Sequence, residues 1–178
     1  AIGEIIFPAH SKNIIESKSM KLYFNSFNSS KFADENSIIK TVVKDLSNVV
    51  DDLVEFNLIP LNKINEIGIP PGKCLDELEI ICDKYQPFPE YLTVYEEIVC
   101  EEVYTNLLKS NCLVTNQPDF GSVYIKYAGQ KIDHKGLLRY IVSLRDHNEF
   151  HEQCVERIFC DILQKCKPSL LTVYARYT

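Results

Sequence analysis

The side chains with the clearest chemical capacity lie in the run Ser110-Asn111-Cys112-Leu113-Val114-Thr115-Asn116-Gln117-Pro118-Asp119. Thiolate is the reactive form of cysteine, so a nucleophilic Cys112 needs a neighbour that removes or returns a proton. Asp119 stands seven residues on, across Pro118, where the chain can fold back. The polar surroundings of Cys112 set it apart from Cys160 and Cys166, which fall in apolar periodic runs and are expected to be buried. Spacing alone leaves two readings open. An inert loop cysteine is the commoner; a catalytic nucleophile with a carboxylate as acid–base partner is the other.

A second run, Asn148-Glu149-Phe150-His151-Glu152-Gln153-Cys154, straddles the expected start of a late helix. A helix N-terminus offers free N–H groups and a positive dipole end. A carboxylate placed there accepts hydrogen bonds from the N–H edge of a purine-like ring, which makes His151 and Glu152 candidates for holding a polar heterocycle. The structural alternative is capping by Asn148 and Glu149 beside a solvated charged face. His147, His151 and Cys154 also fall at i, i+4 and i+7, a donor set suited to catalytic zinc. The run HNEFH carries its glutamate at the third position, however, not at the second as in HExxH. No second cysteine–histidine cluster supports it, and no metal is expected.

In the third run, Glu16-Ser17-Lys18-Ser19-Met20-Lys21, two lysines occupy adjacent helical turns beside two hydroxyls. Such a face suits phosphates; an ordinary amphipathic helix start with Glu16 in the first turn is the alternative. There is no GxGxxG, so a Rossmann cofactor site is not expected.

The 178 residues suffice for one ordinary domain or two small ones, and at 46% hydrophobic and 25% charged they can bury a core. A net charge of −6 and a pI near 5.3 disfavour electrostatic binding of nucleic acid. No apolar run approaches a bilayer span, and residues 1–10 do not resemble a signal peptide. Seven cysteines, an odd number with no CxxC, point to reduced thiols and a cytoplasmic location rather than a disulfide scaffold.

The elements that would carry these runs fall into two halves. A strand is expected over 3–8, a helix with apolar positions 20, 23, 24 and 27, and a second helix capped by Asn36-Ser37 with the stripe Ile38, Ile39, Val42, Val43, Leu46, Val49 and Val50. Residues 54–64 read as extended, Pro70-Pro71-Gly72 as a turn and 75–81 as a returning strand. The second half follows a Pro-containing link at 87–89. It opens with a strand carrying Val99, Glu101, Val103, Thr105 and Leu107 toward Cys112, then a strand over 122–127 ended by Gly129-Gln130. Two helices follow, one with Leu137, Leu138, Ile141, Val142 and Leu144, one with Val155, Ile158, Phe159, Ile162 and Leu163, and a strand opens at Leu171. The orders β-α-α-β-β and β-β-α-α-β are both pieces of β-β-α-α-β-β, which implies an α+β chain of two related modules, 1–90 and 91–178, each lacking a terminal strand.

Taken together, three motifs resemble the NADPH-dependent 7-cyano-7-deazaguanine reductases, the nitrile reductases of queuosine biosynthesis, in their longer two-module form. They are Glu16 through Tyr23 with Asn25-Ser26-Phe27-Asn28, Leu107 through Cys112 with Pro118-Asp119-Phe120-Gly121-Ser122, and His147 through Arg157. Ser29 stands where the family often has glutamine. The resemblance implies tandem tunnelling-fold modules, each an antiparallel sheet with paired helices on one face. It implies that Cys112 attacks the nitrile carbon and that Asp119 is the general acid–base. Glu152 would anchor the deazapurine, with Phe150 and His151 lining the pocket and Glu16 and Ser17 approaching from the other module. Lys18, Ser19 and Lys21 would serve NADPH. A homodimer acting on a small molecule, not directly on nucleic acid, is the implied assembly. A zinc-dependent, cyclohydrolase-like tunnelling-fold hydrolase and a non-catalytic assembly module are the alternatives.

Overall fold

A computed structural model describes residues 1–63, 68 and 70–177. The chain divides into two compact units, Ala1–Gly68 and Ile69–Thr178. The division expected at 90/91 falls inside the second unit, because Leu75, Leu78, Ile80 and Cys82 all pack into that unit's core.

In the first unit, β1 (Ile2–Ile6) is followed by helices α1 (Ser17–Ser26) and α2 (Glu35–Val50) and by β2 (Glu55–Ile59), which pairs antiparallel with β1. The α2 stripe buries Val42, Leu46 and Val50, one residue per turn, against Val54 and Phe56. Asp34 caps α2, not Asn36-Ser37: its carboxylate accepts from the Ser37 N–H at 2.8 Å and the Ser37 hydroxyl at 2.7 Å. The extended stretch expected over 54–64 ends at Ile59, and a 3-10 turn follows at Leu61–Lys63; Ile64 lies outside the described residues.

The second unit is a four-stranded sheet in the order β3 (Lys73–Cys74), β4 (Val94–Asn111), β5 (Pro118–Ile132), β6 (Leu170–Tyr177), with α3 (His134–Ser143) and α4 (His151–Cys166) between β5 and β6 in the chain. The strand expected at 75–81 is replaced by the two-residue β3, which runs parallel to β4 and so belongs to this sheet. β4, β5 and β6 are antiparallel. The chain is thus α+β, and from β4 onward this unit keeps the expected β-β-α-α-β order, with β3 added before it.

Alternation decides which face the helices cover. Along β5 every second side chain from Asp119 to Tyr127 is buried, while Phe120 on the other face is exposed. α4 supplies Cys154, Ile158, Ile162 and Cys166, four apart along one stripe, and α3 supplies Leu137, Leu138 and Ile141. Cys160, expected to be buried, faces solvent, and Cys154 occupies the inward position. Among the described residues no helix is long and apolar enough to cross a membrane.

One polar cluster ties the far end of this core. Tyr127 donates its hydroxyl to Glu101, His134 lies 3.0 Å from the same carboxylate oxygen, and the Ile132 N–H donates to the Tyr127 hydroxyl at 2.9 Å. Burial disfavours the Glu101 carboxylate, but its hydrogen bonds with Tyr127 and His134 outweigh that and hold its pKa below the usual value. A carboxylate whose pKa falls on folding stabilises the fold above its unfolded value and loses that contribution as pH drops through the folded one. Glu101→Gln is therefore expected to cost about 1–2 kcal/mol at pH 7. Urea melts of both proteins from pH 7 to pH 3 should show the difference shrinking below about pH 4.5.

Candidate active site

Cys112 owes its position to an irregularity in β4. Thr105 pairs with Val123, but Leu108 pairs with Gly121, so Asn106 and Leu107 together oppose Ser122. Before this bulge Val103 and Thr105 face the helices; after it the buried residues are Leu108, Ser110 and Cys112. Leu107, which alternates with Val103 and Thr105 in the sequence, is only half-buried, and Leu108 takes the fully buried position for this reason. A regular strand with Val103 and Thr105 inside would turn Ser110 and Cys112 to the opposite face.

The turn that follows is closed by backbone bonds, Cys112 N–H to Gln117 C=O at 2.8 Å and Asn116 N–H to Cys112 C=O at 3.0 Å. Asn116 takes the left-handed conformation (φ 57°) that asparagine tolerates better than most residues. Its side-chain oxygen accepts from Asn148 Nδ2 at 2.7 Å, and Asn148 also reaches the Cys112 carbonyl at 3.3 Å. Asn148 therefore braces the cysteine turn and does not cap α4; the cap position is held by Phe150. Two further bonds zip this loop to the strand: Asn111 N–H to His147 C=O at 2.8 Å, and Glu149 N–H to Asn111 C=O at 3.1 Å.

Asp119 pairs across the hairpin with Ser110, two residues before Cys112. Cys112 and Asp119 are 3% and 8% exposed, so the thiol and the carboxylate share the helix-facing side of one hairpin end. The carboxylate lies 3.0 Å from His151 Nε2 at the first turn of α4. The imidazole is stacked on Tyr177 with ring centres 3.9 Å apart and planes parallel. The Cys154 thiol is fully buried beside them, and burial pushes its pKa up and keeps it a neutral thiol. Tyr177 can lie flat here because Gly121 opposes it: a Cβ on Gly121 would come within 2.7 Å of the Arg176 carbonyl and 3.2 Å of the Tyr177 ring.

Glu149 anchors the approach to α4. Arg157, two turns on, donates to it through Nε at 2.9 Å and through a terminal nitrogen at 2.6 Å, a bidentate pair, and His147 Nε2 lies 3.1 Å away. Glu149 is thus an anchor and not a cap. Arg157→Leu leaves that carboxylate without its main partner and is expected to cost about 1–3 kcal/mol, discounted because Arg157 is partly exposed. A lowered thermal midpoint, with faster amide exchange at residues 147–150 than in the rest of the unit, is the expected reading.

The i, i+4, i+7 donor set does not form. His147 precedes the helix in extended backbone, and His147 and His151 face different carboxylates. Among the described residues no group of three or more His, Cys, Asp or Glu is placed to hold a metal ion.

The remaining candidates lie in the first unit at the start of α1. Glu16 is the N-cap there: its carboxylate accepts from the Lys18 N–H at 2.8 Å, the Ser19 N–H at 2.6 Å and the Ser19 hydroxyl at 2.8 Å. Burial opposes ionisation of Glu16, yet the Ser19 and Lys18 hydrogen bonds lower its pKa overall. Ser17 opens the helix, and Lys18, Ser19 and Lys21 are exposed on it. The structure therefore gathers Cys112, Asp119, Phe150, His151 and Glu152 in the second unit, and Glu16, Ser17, Lys18, Ser19 and Lys21 in the first. Ser110, Asn116, Asn148, Glu149, Arg157 and Tyr177 join the second group with roles that sequence spacing did not suggest.

These features define an α+β protein whose sheet presents a thiol beside a buried carboxylate–imidazole pair at a helix start. Two family models match the chain: "Nitrile reductase, 7-cyano-7-deazaguanine-reductase N-term" over residues 1–58 and "QueF-like protein" over residues 118–178. The whole chain is 52% identical to a protein of Legionella pneumophila (strain Lens), 54% to one of Dechloromonas aromatica and 49% to one of Azoarcus sp., each named NADPH-dependent 7-cyano-7-deazaguanine reductase. The chain is similar to this nitrile reductase family along its whole length. It spans 64% of the length of those relatives.

Proposed function

We propose that this chain carries the activity of an NADPH-dependent nitrile reductase that converts 7-cyano-7-deazaguanine to 7-aminomethyl-7-deazaguanine, a step of queuosine biosynthesis for tRNA modification. The observation that carries this reading is Cys112 held on the helix-facing side of a hairpin whose other strand presents the Asp119–His151 pair. Half-identity to reductases along the whole chain supports it.

A nitrile is a poor hydride acceptor, and the chain's own groups can change that. Asp119 takes the Cys112 thiol proton, the sulfur adds to the nitrile carbon as one π bond of C≡N breaks, and the nitrogen takes that proton back from Asp119. The product is a thioimide whose carbon accepts hydride readily. His151, paired with Asp119, supports that carboxyl as it cycles between acid and base. Glu152 takes the N–H edge of the deazapurine, with Phe150 and His151 as walls. Glu16 and Ser17 are assigned to substrate on the family motif.

The cofactor is assigned to the first turns of α1. Lys18 and Lys21, both exposed and three residues apart on one helix, match a phosphate-bearing dinucleotide in charge, with Ser19 beside them. NADPH, when bound, supplies the hydride. Two equivalents and two protons balance the conversion of R–C≡N to R–CH2–NH2. A cytoplasmic homodimer without direct contact to nucleic acid completes the proposal. The hydrolase alternative is less well supported, since its histidines face separate carboxylates.

The test is stoichiometry with the full-length protein. Two NADPH oxidised per amine formed is the expected result. Substrate consumed with release of ammonia and no NADPH oxidation would overturn the reading.

A further inference from the structure

We propose that Asp76 is a positioning residue for Cys112, acting through the bulge in β4. Asp76 lies outside both stretches matched by the family models. Its carboxylate accepts from the Thr105 hydroxyl at 2.5 Å, from the Asn106 N–H at 3.0 Å and from Asn106 Nδ2 at 2.7 Å. The bulge is completed by the Leu107 N–H donating to Thr105 Oγ1 at 3.2 Å and by the Ser122 hydroxyl donating to Asn106 Oδ1 at 2.7 Å. Every partner of Asp76 named here belongs to the residues that carry the extra position in β4 or immediately precede it.

A bulge leaves an N–H without its ladder partner and inserts a residue that a regular strand would expel. Asp76 takes up that N–H and grips the side chains on both sides of the insertion. It is itself held in place by β3, which pairs with Val103 and Tyr104 of β4, and by the Leu75 N–H donating to the Tyr104 carbonyl at 2.9 Å. Burial opposes its charge, but the Thr105 and Asn106 bonds keep its pKa below the usual carboxylate value. The consequence is carried along the strand. With the bulge, Leu108, Ser110 and Cys112 face inward; without it, the period of two turns Cys112 to the face away from Asp119. The clamp thus decides on which side of the sheet the thiol stands, by fixing a bulge at Asn106, six residues before Cys112, and through backbone phase alone.

This inference rests on the nitrile reductase reading only for its catalytic consequence, so the experiment has two readouts in full-length protein. The first is alkylation of Cys112 by iodoacetamide, measured by peptide mass spectrometry against the exposed Cys100 and Cys160 as internal references. The second is the rate of covalent adduct formation with 7-cyano-7-deazaguanine without NADPH. Asp76→Ala is expected to raise Cys112 alkylation relative to the references by roughly tenfold, and to slow adduct formation by about 100-fold, the scale of a misplaced reacting group. Asp76→Asn, isosteric and milder, should show the same two changes in smaller degree and keeps the test open if the alanine variant does not fold. The double variant Asp76→Asn with Asn106→Asp exchanges amide and carboxylate while leaving an acceptor for the residue 106 N–H. It should bring both readouts back to within about threefold of the wild type. Wild-type values for both single variants would overturn the proposal. So would a double variant that regains thermal stability without regaining the adduct rate, because Asp76 would then serve the fold alone. If the wild type forms no adduct while alkylation follows the predicted pattern, the nitrile reading fails and the positioning role stands.

Discussion

Full-length protein carrying Cys112→Ala should lose turnover by a factor on the order of 10⁴ or more, the scale seen when a covalent nucleophile is removed. The reason is chemical. The nitrile carbon becomes a good hydride acceptor only after the thiol has added and nitrogen has been protonated. Neither Cys154 nor Cys166 can substitute: burial pushes the Cys154 thiol up, and that of Cys166 to about 11. Both sit on the α4 core stripe among Ile158 and Ile162. The substitution removes one sulfur at a turn held by backbone bonds from Gln117 and Asn116, so the thermal midpoint should move little. Heterocycle binding through Glu152 should survive, and dialysis against substrate should give a dissociation constant within a few-fold of the wild type. Loss of binding together with loss of turnover would move Cys112 from chemistry to pocket structure.

The second large effect falls on Asp119. Asp119→Asn keeps the shape of the side chain and removes the exchangeable carboxyl proton. Turnover is expected to drop about 10²–10⁴-fold, the range for loss of a general acid–base. Single-turnover mass spectrometry should show a slowly forming thioimide, because nitrogen protonation accompanies sulfur addition. Stopped-flow absorbance should show equally slow hydride consumption. His151 meets an amide in place of the carboxyl at 3.0 Å and keeps its stack on Tyr177, which limits the structural change. Wild-type rates of adduct formation in this variant would remove Asp119 from the proton-transfer role.

Local patterns made parts of this architecture readable from the sequence, and long-range clamps hid others. The α2 and α4 stripes and the alternation of β5 are short-range and periodic, and those patterns stand where the sequence places them, although β5 begins at Pro118 and runs on through Gly129-Gln130, expected to end it, to Ile132. Caps were harder. Asp34, Asn148 and Glu149 each have the right chemistry for more than one task, and only three-dimensional neighbours decide among them. Thus Asn148 turns to Asn116 and Glu149 to Arg157. The phase of β4 was not legible at all. Val103, Thr105 and Leu107 read as one alternating face, and the shift that puts Leu108, Ser110 and Cys112 inside depends on a carboxylate about thirty residues upstream. Residues 75–81 read as a strand because they are apolar and follow a turn. Their apolar side chains instead fill the second core beside β4, which carries the preceding residues into the second unit. Tyr177 shows no local signal of its role, since its partners His151, Cys154 and Gly121 come from α4 and from the paired strand.

The central claim, that Cys112 adds covalently to a nitrile, is tested most directly by intact-protein and peptide mass spectrometry after mixing full-length protein with 7-cyano-7-deazaguanine and no NADPH. The account predicts a mass gain equal to one substrate molecule, located on the peptide bearing Cys112 and absent in Cys112→Ala. No gain in the folded wild-type protein, or a gain that persists in the alanine variant, would contradict it.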